Sequence, residues 1–124
     1  MKYRIVDKKY NFYSIFNTKT GAYMRTGILD ENGKDTGVDP FMGSYPNLID
    51  IGVMGHCIHG RTGLCAKAGV GCYQSGLLIE KPNMSLEDFT WIIKQSSHKC
   101  NQVALGGRGD PDQHEHFEEL LKIC

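Results

Sequence analysis

LIDIGVMGHCIHGRTGLCAKAGVGCYQSG, Leu48 to Gly76, is the stretch on which the fold of this chain turns. Its first seven residues, Leu48 to Met54, are almost all apolar and follow a Pro-containing turn, which predicts a short buried strand. That strand runs straight into a segment carrying Cys57, Cys65 and Cys72, with seven and six residues between successive cysteines. Gly55, Gly60, Gly63, Gly69, Gly71 and Gly76 give the segment the backbone freedom to curl tightly. Three thiolates converging on one point suit an iron–sulfur cluster or zinc. Structural zinc prefers four protein ligands and close cysteine pairs, and no such pair occurs, although Cys100, His56 or His59 are available to complete a set. Reduced structural thiols are the plain alternative, with His56 and His59 then simply exposed loop residues.

Downstream, Ser85 is placed to cap a helix, with Asp88 three residues later in the capping-box position. Leu86, Phe89, Ile92 and Ile93 fall on one face, so Leu86 to Ser97 is expected to be an amphipathic helix. Asn101 to Leu105 reads as a second strand, ending in the turn Gly106-Gly107-Arg108-Gly109-Asp110-Pro111. A last helix over His114 to Ile123 would set Phe117, Leu120 and Leu121 on its apolar side. Asp112, His114, Glu115 and His116 then belong to its solvated first turn, where acids suit the helix N-terminus. Cys100 and Cys124 read as small apolar residues at element ends. The order strand, loop, helix, strand, loop, helix is that of two consecutive βα units with parallel strands. Ligand sites in such arrangements lie at the carboxyl ends of the strands, where both glycine-rich segments fall.

Upstream, the aromatic and β-branched residues between Tyr10 and Leu29 form two runs separated by Thr18-Lys19-Thr20-Gly21, which predicts a β-hairpin. Asn32 to Pro46 is rich in Gly, Asp and Pro and reads as an irregular connector anchored by Phe41 and Tyr45. The expected class is α/β or α+β. One domain spans residues 1–124, with a hairpin region and connector over 1–47 and the βαβα segment over 48–124.

The bulk properties narrow the function classes. Fourteen basic residues match fourteen acidic ones, so no electrostatic grip on nucleic acid is indicated and contact with it would come only through a nucleoprotein partner. The charged N-terminus MKYRIVDKK lacks the apolar core of a signal peptide, and no stretch nears the ~20 apolar residues of a membrane span. The expected location is the cytoplasm, where five cysteines favour metal binding or free thiols over disulfides.

A three-cysteine loop directly after a first strand, ending in Cys72-Tyr73 and followed by a helix and a strand that closes in Gly106-Gly107, resembles the start of a radical S-adenosylmethionine (radical SAM) enzyme. Val103 to Cys124 is similar to that family's second strand, glycine-rich turn and following helix, and the hairpin region is similar to the N-terminal extension of its peptide-modifying members. The resemblance implies a [4Fe-4S] cluster on Cys57, Cys65 and Cys72, with S-adenosylmethionine beside Tyr73, Gly106, Gly107 and Asp110. The reaction it implies is reductive cleavage of that cofactor to a 5′-deoxyadenosyl radical. Two departures stand out: both cysteine intervals exceed the family's C-x3-C-x2-C, and Arg108 follows Gly106-Gly107 where the family often has Glu.

The 77 residues from Leu48 to Cys124 accommodate two βα units at ~30 residues each, short of the family's partial barrel. Two adjacent parallel strands leave open edges that further polypeptide must cover. The expectation is a radical-SAM-like chain that does not catalyse alone and acts by binding another protein or a second copy of itself. The alternatives are a portion of a peptide-modifying enzyme, or a mobile-element inhibitor docking on a host defence complex, of the anti-CRISPR type.

Overall fold

The structure, a computed structural model, describes residues 1–74 and 80–124. It is mixed α and β, with two small sheets and four α-helices among the described residues. The chain divides into two compact units, Met1–Asn47 with His98–Asn101, and Leu48–Ser97 with Gln102–Cys124.

The first unit is a three-stranded antiparallel meander of β1 (Lys2–Asp7), β2 (Phe12–Asn17) and β3 (Tyr23–Arg25). The predicted hairpin is β2–β3, in the register Ser14↔Arg25, Ile15↔Met24 and Phe16↔Tyr23. Gly21, at φ +69, takes the left-handed position that its turn requires. Strand β1 is an addition to the expectation. Its alternation is masked by charge, because most of its residues face solvent and only pairing along β2, from Lys2↔Asn17 to Asp7↔Phe12, makes it a strand. The Asp7 carboxylate accepts the N–H groups of Lys9 and Tyr10 and so shapes the β1–β2 turn. Asn101 belongs to this unit through its amide donating to Ser14 Oγ at 2.9 Å and its N–H donating to Asn47 O at 2.9 Å.

The connector is irregular as expected, but Phe41 is 88% exposed and does not anchor it; Tyr45, 53% exposed, is held at its ring face, with Lys99 Nζ 4.9 Å from the ring centroid. Polar contacts hold the segment instead: Asp39 pairs with Arg25 at 2.8 Å and caps the Phe41 N–H, and Asp7 accepts both the N–H and the hydroxyl of Ser44. Phe41 sits at φ 55, a conformation set by that local turn rather than by burial of its ring.

In the second unit β4 (Leu48–Gly52) leads through α1 (Ile58–Arg61) and α2 (Leu64–Lys67) to α3 (Leu86–Ser96), then to β5 (Gln102–Gly106) and α4 (Phe117–Ile123). Strands β4 and β5 pair in parallel from Leu48↔Gln102 to Gly52↔Gly106. Alternation puts Ile49, Ile51 and Val53 with Val103 and Leu105 on one side. There they pack against Leu86, Phe89, Ile92 and Ile93 of α3 and Leu120 and Ile123 of α4. Phe89 and Leu120 are wholly buried.

Helix α3 starts at Leu86 as expected and ends one residue early, with Ser97 as its C-cap, and Ser85 Oγ accepts the Asp88 N–H at 3.0 Å as its N-cap. Helix α4 starts three residues later than expected. Pro111–Gln113 forms a separate 3-10 turn, and His114 leaves helical geometry at ψ 134. Leu121 is half-exposed, since only Leu120 and Ile123 reach the core from so short a helix. No described helix is long and apolar enough to cross a membrane.

Candidate functional site

Because β4 and β5 end side by side at Gly52 and Gly106, the cysteine segment and the turn after β5 leave the sheet at one edge. They touch closely there. Gly107 sits at φ +84, and a Cβ on it would lie 3.1 Å from Gly52 Cα. Gly109, at φ +70, is tighter still, since a Cβ would meet His56 O at 2.5 Å and Cys57 Cα at 3.4 Å. Only glycine fits such an approach of backbone to backbone. At Gly109 the turn therefore passes close to the His56–Cys57 backbone.

Cys57 is the N-cap of α1, and its Sγ accepts the Gly60 N–H at 3.3 Å. Two residues on, His59 Nδ1 lies 3.0 Å from Asp110 Oδ2, with both side chains about half-exposed. Asp110, the carboxylate expected beside a cofactor amino group, thus pairs with histidine in this chain.

Cys65 lies in α2, whose entry is Gly63 at φ +70. This helix ends in a Schellman motif, with Val70 N–H donating to Cys65 O at 2.9 Å and Gly69 N–H to Ala66 O at 3.1 Å around Gly69 at φ +71. The expected glycine-rich loop is therefore two helical turns articulated at glycines. Cys72 is exposed beyond them and Tyr73 is 87% exposed. Among the described residues no three His, Cys, Asp or Glu side chains gather as a metal-binding group. The backbone at Cys57 lies close to the Gly106–Asp110 turn, whereas Cys65 and Cys72 form no such group with it. The last residues of the quoted segment, Ser75 and Gly76, lie outside the described ones.

Burial pushes the thiols of Cys100 and Cys124 up from their ordinary value; Cys100 is partly buried, whereas Cys124 is exposed after α4 and does not pack as expected.

Four residues that the sequence did not mark as site residues brace this edge. The Gly55 N–H donates to Asn83 Oδ1 at 2.9 Å, and the Asn83 amide donates to Glu115 Oε2 at 2.6 Å. That donor, followed by a backbone N–H, holds the Glu115 carboxyl below the usual range. His114 corrects the sequence reading, for it is 4% exposed rather than solvated. Its Nδ1 accepts the His116 N–H at 3.0 Å, so its Nε2 carries the proton and donates to Met84 O at 2.9 Å. Arg108 is the fourth. Its Nη1 donates to Gly55 O at 3.4 Å and its Nε to Gln74 O at 3.2 Å. No sequence signal marks these partners, because they lie 28 to 53 residues apart along the chain.

Comparison with family models, with curated proteins and with solved structures finds no match to this chain.

Proposed function

We propose that this chain is the opening βαβα portion of a radical-SAM-type iron–sulfur protein, acting in contact with further polypeptide rather than as an independent catalyst. Cys57, Cys65 and Cys72 would hold a [4Fe-4S] cluster, and Tyr73, Gly106, Gly107 and Asp110 would border S-adenosylmethionine.

The observation that carries this reading is the meeting of the two segments at the shared carboxyl end of two parallel strands, where Gly109 passes close to the His56–Cys57 backbone and Asp110 pairs with His59 at 3.0 Å. Open α/β sheets bind ligands at that end. The three thiols are not gathered into one group among the described residues, but their chemistry suits the cluster: thiolates are the usual ligands of iron–sulfur clusters, and a backbone N–H already donates to Cys57 Sγ, a contact of the kind that tunes cluster sulfurs. When bound, the cluster would supply the electron that cleaves S-adenosylmethionine. Gly106 and Gly107 let the turn pack against the Asp50 carboxylate and the Gly52 backbone, where a Cβ would meet Asp50 Oδ1 at 2.7 Å and Gly52 Cα at 3.1 Å. Asp110 engages His59 through Oδ2 and keeps Oδ1 as an acceptor for an amino group.

The open sheet supports a role for further polypeptide. Strands β4 and β5 have no third strand beside them among the described residues. On the side opposite the helices, alternation leaves Leu48, Asp50, Gly52, Gln102, Ala104 and Gly106. Two strands alone are marginal, and an added strand on either edge would satisfy the unpaired backbone groups.

Anaerobic reconstitution with ferrous iron and sulfide tests the reading. The native chain is expected to take up iron and sulfide in equal amounts and to gain the broad visible absorption of a cluster. A Cys57→Ala, Cys65→Ala, Cys72→Ala variant is expected to take up neither. Equal iron content in the two proteins would overturn the proposal.

A further inference from the structure

The Gly55–Gln74 span holds Cys57, Cys65 and Cys72, and one side chain grips both of its ends. Arg108 donates through Nη1 to the carbonyl of Gly55, where the span begins, and through Nε to that of Gln74, where it closes. These acceptors are backbone atoms, so the grip acts on the path of the chain. Gly55 is already crowded, since a Cβ on it would collide with the Lys81 and Pro82 carbonyls, and its own carbonyl also accepts the Lys81 N–H at 3.0 Å.

The delivery of Arg108 is built into its neighbours. Gly107 and Gly109 flank it, both at positive φ and both so near other backbone that a side chain on either would collide. Two left-handed glycines around one arginine make a sharp turn whose middle residue is directed by the turn itself. An arginine fork can reach two carbonyls from one rigid plane, which a lysine ammonium on its flexible stem does poorly.

From this we infer that Arg108 is a positioning residue: it latches the two ends of the cysteine span to each other and to the turn after β5. Closing a loop of this length costs conformational entropy, and two charge-assisted hydrogen bonds at its neck offset part of that cost. The latch would explain why arginine stands at this place in the turn. It requires no bound metal, so it stands or falls separately from the cluster.

Hydrogen exchange by mass spectrometry on the metal-free protein tests it. In Arg108→Gln, exchange across residues 55–74 is expected to accelerate by about tenfold, the equivalent of roughly one charge-assisted hydrogen bond, while α3 keeps its native rate. Arg108→Lys is expected to fall between the two. Millimolar guanidinium should slow exchange in the Arg108→Gln span and leave the native protein unchanged. Unchanged exchange in the span, acceleration shared equally by α3, or failure of guanidinium to restore protection would each overturn the latch.

Discussion

Glycine at position 109 is required twice over, by its φ of +70 and by the 2.5 Å that would separate a Cβ from His56 O. Gly63 shares the conformation at φ +70 but has nothing within 4 Å. The pair separates backbone strain from collision. Gly63→Ala is expected to cost about 1 kcal/mol, and Gly109→Ala more, roughly 2–3 kcal/mol, read from urea midpoints at constant slope. Equal costs would show that the turn relaxes away from Cys57 without penalty. At this scale the sequence was informative about residue type and silent about partners. Cys57, Cys65, Cys72, Tyr73, Gly106, Gly107 and Asp110 are the site residues it suggests, whereas the pairing of Asp110 with His59 and the burial of His114 depend on segments distant in the chain.

Among the elements, α3 was the most legible because every local signal agrees. Ser85 caps it, Glu87 and Asp88 occupy its first turn, and Leu86, Phe89, Ile92 and Ile93 make one apolar face. Ser85→Ala should therefore lower stability by about 1 kcal/mol and Ser85→Gly by only a few tenths, measured by thermal unfolding; the reverse order would contradict a side-chain cap. Helices α1 and α2 were not legible. Each spans four residues, too short for periodicity to register, and each is bounded by a glycine or cysteine rather than by a usual capping residue. Strand β1 was missed for a related reason, since its exposed, charged residues gain strand geometry only from β2.

For the whole molecule, each compact unit carries a carboxylate held below its ordinary pKa. Burial acts to raise that of Asp7, but the Ser44, Tyr10 and Lys9 N–H groups and the Ser44 hydroxyl outweigh it; in the other unit Asn83 lowers that of Glu115. A depressed native pKa adds stability above the unfolded value, and that contribution is lost as pH falls through the native one. Between about pH 6 and pH 3 the urea midpoint of the native chain should drop, and drop less in Asp7→Asn and Glu115→Gln. Equal acid sensitivity in all three proteins would remove these groups from the account. The sequence by itself determined the mixed α and β content, the β2–β3 hairpin, the capped α3 and the two glycine-rich segments after parallel strands, because caps, turn residues and apolar periodicity act over a few residues. Only the tertiary structure decided that the Gly106–Asp110 turn passes close to the His56–Cys57 backbone, that His114 is buried against Met84 O and that Arg108 spans the neck of the cysteine segment. Those contacts are set by the register of β4 on β5 and by backbone carbonyls far apart in sequence, which no local pattern encodes.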